Sequence, residues 1–178
     1  MIYLFDLRNS LSIDELVTSV NDLKQCGNSY FMDGLYKRAT RKYLKCLRYL
    51  EYLKTQAEWD KYYKTIEIYY LQCYLNLAAC YSKLGNFSAC VKSCNEVLHI
   101  EAKNEKALYR RGHAFFALKN YEAALIDLRL ADKVSPKNKA ILKLLDEVKK
   151  TNKSYNDIQK QRLSRLFREQ KEKELGHH

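Results

Sequence analysis

Proline is almost missing from these 178 residues: Pro136 stands alone, and only five glycines accompany it. A β-sandwich or barrel needs turn residues about every ten positions, so all-β architectures are excluded. Between Gly34 and Gly85 neither residue occurs, and long helices are expected there. The six cysteines, Cys26, Cys46, Cys73, Cys80, Cys90 and Cys94, include no CxxC pair, which argues against a zinc knuckle or a thioredoxin-like site. Most stand where a helix buries a small apolar residue, so reduced structural thiols are expected, as in an intracellular protein. Long apolar runs are also absent. Ile2–Phe5 is too short for a signal-peptide core or a membrane span, and Asp6 follows it. There is no phosphate-cradling glycine loop, and His99 and His113 have no Cys or carboxylate partner at nucleophile or metal spacing. No catalysis, metal or cofactor is expected of this chain.

What the sequence has is positive charge and a repeat. The formal charge is +11, from 32 Lys and Arg against 21 Asp and Glu, which favours an acidic partner without choosing among peptide, nucleic acid and membrane surface. Self-comparison aligns Tyr30-Phe31-Met32-Asp33-Gly34-Leu35-Tyr36-Lys37-Arg38-Ala39 with the stretches beginning at Tyr81 and at Phe115. In each, an aromatic is followed six residues later by another, then three later by a small residue. The second and third copies are 34 residues apart, and Gly27, Ala78 and Gly112 precede the first aromatic by three. That period and pattern are the signature of tetratricopeptide repeats, in which small residues let paired helices approach and aromatics fill the layer between repeats. The fold class expected is all-α: a tetratricopeptide superhelix of three helix-turn-helix repeats, at about 20–53, 71–104 and 105–138, with a long C-terminal capping helix.

The first and second copies are 51 apart, so 17 extra residues lie between them. With no breaker there, an insertion at about 54–70 is expected to add turns to the flanking helices, with Trp59, Tyr62, Tyr63 and Ile66 packing the extensions together. Ser12 and Glu15 have capping-box spacing and should start the first helix after a linker over 1–11. Ser135-Pro136 reads as an N-cap followed by proline in the first turn of a helix over 137–175. Ile141, Leu144, Leu145 and Val148 there have the spacing of a face covering the last repeat. Gly176-His177-His178 reads as the stub of a purification tag.

Five polar residues fall on one face of this frame. Lys24 and Asn28 are four apart on one helix, as are Lys106 and Arg110 on another, and Asn76 precedes Arg110 by one 34-residue period. First helices of successive repeats line the inner groove, so the five should converge from three neighbours. Arg can fork onto a carboxylate, Lys adds a mobile charge, and Asn amides clasp backbone or carboxylate without further charge. Asparagine is also a mediocre helix former, so two in mid-helix are unexpected without a role. A chain end with a terminal carboxylate and an adjacent acidic side chain fits this set. Lys83, seven residues after Asn76, is read as a secondary contact for a further acid.

These residues carry a resemblance. Leu23–Phe31, Leu75-Asn76-Leu77-Ala78 and Lys106-Ala107-Leu108-Tyr109-Arg110-Arg111 resemble the tetratricopeptide domain of the large immunophilins, the cyclophilin- and FKBP-type isomerase cochaperones of the ninety-kilodalton heat-shock protein. The insertion and the basic terminal helix are similar to that family too, and Lys139-Ala140-Ile141 looks most like its cyclophilin branch. The resemblance covers about residues 18–170. It implies that Lys24, Asn28, Asn76, Lys106 and Arg110 form a two-carboxylate clamp for the Glu-Glu-Val-Asp tail of a ninety- or seventy-kilodalton chaperone. It also implies a cytoplasmic, or also nuclear, location. No isomerase domain fits into the first twenty residues, so an excised domain or a family member without the enzyme is expected.

The terminal helix supports a rival reading. From Lys149 to Lys173 it interleaves Tyr155, Ile158, Leu163, Leu166 and Phe167 with nine Lys or Arg, as in a calmodulin target or a helix lying on an anionic membrane. A scaffold for some other C-terminal peptide is a further alternative. Nucleic acid is not expected as a partner: there is charge but no stacking platform or recognised module.

Overall fold

The capping box at Ser12 and Glu15 does start the first helix. The Glu15 amide donates to Ser12 Oγ at 3.3 Å, and the Ser12 amide donates to Glu15 Oε2 at 2.7 Å. From there a computed structural model describes residues 12–56 and 59–175. The described chain forms α1 (Ile13–Met32), α2 (Tyr36–Leu53), a 3-10 turn (Trp59–Tyr62), α3 (Tyr63–Lys83), α4 (Phe87–Ile100), α5 (Glu105–Ala117), α6 (Tyr121–Val134) and α7 (Lys139–Leu175). The all-α expectation holds. Each helix packs on the next in sequence, and α3 also touches both α1 and α5, so the three first helices of the pairs stand side by side. The linker read over 1–11 and the stub at 176–178 lie outside the described residues.

One turn, used three times, sets the pairing. Gly34 and Gly85 have φ of +72°, and Lys119 at the equivalent place has φ of +61°. At each, two amides return to the preceding helix: Gly34 and Leu35 donate to the Phe31 and Tyr30 carbonyls, Gly85 and Asn86 to Ser82 and Tyr81, Lys119 and Asn120 to Phe116 and Phe115. This is a Schellman closure, and it satisfies carbonyls that a helix end would otherwise leave open. Lys119 adopts the left-handed conformation at about 1 kcal/mol against the L-residue preference.

Small residues let the paired helices approach, as the repeat pattern implies. A Cβ on Gly27 would sit 2.6 Å from Tyr43 Cε1, and one on Gly112 would sit 2.9 Å from Leu128 Cγ. Ala78 is fully buried. The core runs between these pairs: Val20, Tyr43, Cys46, Leu50, Cys73 and Leu77 join α1, α2 and α3, while Cys90, Cys94, Val97, Ala107 and Ala114 join α4 to α5. All six cysteines are free and five are buried. Hydrogen bonding to Cys46 and burial push the Cys73 thiol up, so it serves as a small apolar group.

Two local expectations need correction. The insertion does lengthen both helices, since α2 has 18 residues against 14 in α4 and α3 has 21 against 13 in α5. The chain nevertheless leaves the helix at Leu53. Thr55 Oγ1 and Gln56 Nε2 both donate to the Tyr52 carbonyl, at 2.7 and 3.4 Å, and close the helix end with side chains. Ile66 is buried as expected, and Trp59 meets Tyr63 edge-on at 5.9 Å, but Tyr63 itself is half exposed. Tyr62 instead reaches α1, donating to Asp14 at 2.7 Å. At the other end, Ser135-Pro136 does not cap α7. Pro136 and Lys137 belong to a turn in which Lys137 has φ of +69°, and Asn138 is the cap, its side chain accepting from the Ala140 amide.

The inner part of α7 covers the last pair through buried Ile141, Leu144, Leu145 and Val148. Asn152 donates to Glu122 at 2.8 Å and Tyr155 meets Tyr121 at 5.5 Å. Beyond that, Ile158, Leu163, Leu166 and Phe167 are exposed. No described helix is long and apolar enough to cross a membrane.

Candidate functional site: a cationic groove across three helices

Lys24, Asn28, Asn76, Lys106 and Arg110 all line one open groove of about 330 Å³, joined there by Gln72 and Leu75. Lys24 and Asn28 come from α1, Asn76 from α3, and Lys106 and Arg110 from α5. No carboxylate is among the lining residues, so three cations face the groove without an acid to neutralise them. Lys83 is exposed at the last position of α3 and lines neither this cavity nor its neighbour.

The polar groups are held before any ligand arrives. Asn28 Oδ1 accepts from Tyr43 Oη at 2.8 Å and from Asn76 Nδ2 at 3.1 Å. With its oxygen taken twice, Asn28 keeps its amide hydrogens for the groove. Burial pushes the Tyr43 hydroxyl up, so it stays protonated and donates. The close approach at Gly27 is what brings Tyr43 from α2 over to Asn28. Lys24 Nζ donates to Gln72 Oε1 at 2.7 Å and lies 4.9 Å from the centre of the Tyr69 ring. Arg110 Nη1 donates to the Leu75 carbonyl at 3.0 Å, which fixes the guanidinium plane against α3. Lys106 is exposed.

A second cavity of about 320 Å³ adjoins the first, sharing Asn28, Asn76 and Arg110 and adding Phe31, Met32, Tyr43 and Ala79. Met32 there is 83% exposed, an apolar side chain standing open beside the cations. Sequence reasoning missed Gln72, Tyr43 and this apolar annex. Gln72 was within reach, since it lies one turn before Asn76 on the same face. Tyr43 sits on a different helix and carries no local signal.

Next to Arg110, Arg111 points the other way. Its Nε and Nη2 donate to the two carboxylate oxygens of Asp127 at 2.7 Å each, and Nη1 donates to Asn95 at 2.8 Å. Asp127 is 3% exposed. This fork pins α5 to α6 directly behind the groove wall.

The fold and the groove together define a tetratricopeptide-repeat domain, and the tetratricopeptide repeat family matches residues 71–104 and 105–138. Over 130 residues, 73% of the chain, it is 35% identical to the peptidyl-prolyl cis-trans isomerase FKBP4 of Mus musculus, of which it spans only 28%. The C-terminal TPR-containing domain of an FK506-binding protein from Plasmodium falciparum superposes with a TM-score of 0.78 at 25% identity, covering 84% of this chain and 99% of that one. The first TPR of Spaghetti (RPAP3), solved with HSP90 peptide SRMEEVD, superposes with a TM-score of 0.59 at 26% identity, covering 75% and 93%. The chain is thus homologous to the repeat domain of an immunophilin. The homology lies on the tetratricopeptide repeats, and domains of this kind are binding modules. Both immunophilin relatives are of the FKBP type, not the cyclophilin type to which Lys139-Ala140-Ile141 pointed.

Proposed function

We propose that the groove holds the acidic C-terminal tail of a heat-shock chaperone, ending Glu-Glu-Val-Asp and of the ninety-kilodalton class in the first place, in a two-carboxylate clamp. One observation carries the reading: three cations and two pre-oriented amides, from three helices, line one groove that holds no acid. Lys24 and Asn28 on one wall and Lys106 and Arg110 on the other can grip two neighbouring carboxylates, with Asn76 between them. The apolar annex at Phe31 and Met32 suits the valine beside the terminal acid. The related RPAP3 domain was solved with a peptide of this ending, which supports the choice of ligand. The chain then acts as a cochaperone adaptor of the cytoplasm, or also the nucleus, and it works by docking rather than turnover.

Calorimetric titration with a peptide ending Met-Glu-Glu-Val-Asp should give a Kd on the order of micromolar, about −8 kcal/mol. The same peptide amidated at its C-terminus should not bind. Binding should also weaken as salt rises, because the clamp charges face an open groove. Equal binding of the acid and amide forms would rule out the clamp.

A second reading attaches to the exposed outer half of α7, where apolar Ile158, Leu163, Leu166 and Phe167 alternate with Lys and Arg. That half would bind calmodulin or an anionic lipid surface. Deleting residues beyond Lys150 should abolish any such binding and leave the acidic peptide's Kd unchanged. Loss of peptide binding in the truncated chain would move the site onto α7.

A further inference from the structure

On the opposite face of α3 from the groove, a separate cavity of about 230 Å³ lies between α2, the 3-10 turn, α3 and α4. Its walls are aromatic. Trp59 and Tyr63 meet edge-on at 5.9 Å, and Tyr70 and Tyr74 stack at 6.0 Å. Tyr63, Glu67, Tyr70 and Tyr74 follow one helical face of α3, while Gln72, Asn76 and Ala79 of the groove follow another. The charge is also reversed. Glu51, Glu67 and Glu96 line the cavity against Lys54 and His99, in a chain whose formal charge is +11.

Ring faces and carboxylates stabilise the same thing, a positive charge. The cavity already shows this preference, because the Lys54 ammonium lies 4.1 Å from the centre of the Tyr70 ring and 3.7 Å from Glu51. We propose that this cavity is a second recognition site, which takes an arginine or lysine side chain from a bound protein segment. Glu51 accepts from the Tyr70 hydroxyl and Glu67 from the Tyr63 hydroxyl, and the lone pairs that remain on the three carboxylates take N–H donors, which arginine and lysine have and a fully methylated ammonium lacks. Lys54 is the resident competitor. Its side chain is 43% exposed and its ion pair long, so an incoming cation can displace it. The proposal is independent of what occupies the groove.

Trp59 is the only tryptophan in the chain, so its emission reports on this cavity alone. The full chain is titrated with a blocked Gly-Arg-Gly-Arg-Gly peptide, with the citrulline counterpart, and with a trimethyl-lysine counterpart. The arginine peptide should change Trp59 emission saturably and the citrulline peptide should not. General attraction is not a concern, since a strongly cationic chain repels a cationic peptide. Lys54→Met should tighten binding about two- to fivefold by removing the competitor. The double change Glu67→Gln with Glu96→Gln should weaken it at least as much, with an unchanged melting curve and unchanged binding of the acidic peptide. A flat titration, an equal response to citrulline, weaker binding by Lys54→Met, or preference for trimethyl-lysine would each overturn the assignment.

Discussion

Replacing Arg110 with alanine should cost the acidic peptide about 2 kcal/mol or more, roughly a thirtyfold rise in Kd. The guanidinium is half-buried and its plane is set by the bond to the Leu75 carbonyl, so little ordering remains when a carboxylate arrives. Its removal leaves that carboxylate partly desolvated with nothing to fork onto it. Lys106→Ala should act in the same direction by about 2 kcal/mol at low salt, with the deficit shrinking as salt rises, because this ammonium is exposed. Neither change should disturb folding. Leu75 lies within α3 and its carbonyl keeps its helical partner, and Lys106 is an exposed residue outside the core. Calorimetry alongside thermal melting separates the two effects. Wild-type affinity in both variants, with melting unchanged, would mean that these residues are not the clamp.

One residue further on, the expected result is the reverse. Arg111→Ala should leave the groove chemistry intact but destabilise the fold by about 3 kcal/mol, because it strands a carboxylate in the interior. Asp127 has its side chain 4% exposed against 24% for Arg111, so losing the arginine should cost more than losing the acid. Asp127→Ala leaves a guanidinium that can still turn toward water and keeps its bond to Asn95. For a chain of this length, 3 kcal/mol corresponds to a fall in Tm of about 6–12 °C. Replacing the pair together by apolar residues of similar volume should recover much of the loss, as is general for buried ion pairs. Arg111→Ala melting with the wild type would show that the fork does not hold α5 to α6.

These two neighbours show what the sequence could and could not reveal. Arg110 was legible because a 34-residue step takes it to Asn76 and a four-residue step to Lys106. Arg111 has no such relation. Its partner Asp127 sits among Leu, Arg and Asp in a stretch that reads as an ordinary amphipathic face, and only the packing of α6 buries it. The repeat register was legible for the same reason as the convergence of the groove residues: aromatics and small residues recur at fixed spacing because each repeat buries the same surface. Tyr43 was not, because its hydroxyl reaches Asn28 across two helices through the gap that Gly27 leaves. The break after Leu53 escaped for another reason. Counting Gly and Pro detects backbone breakers, whereas Thr55 and Gln56 end α2 by taking a carbonyl with their side chains. Ser135-Pro136 points to a cap one turn too early, because Lys137 takes a left-handed conformation and passes the capping role to Asn138.

The 37 residues of α7 are continuous in geometry but not in cohesion. Its first three turns share a core with α6, whereas beyond Tyr155 the apolar side chains Ile158, Leu163, Leu166 and Phe167 are exposed and i,i+4 pairs such as Arg165–Glu169 lie on the surface. A rod of that outer length reaches about 30 Å. No residue of the groove lies on this rod, so the two surfaces are built from separate parts of the chain and a change in one leaves the geometry of the other untouched.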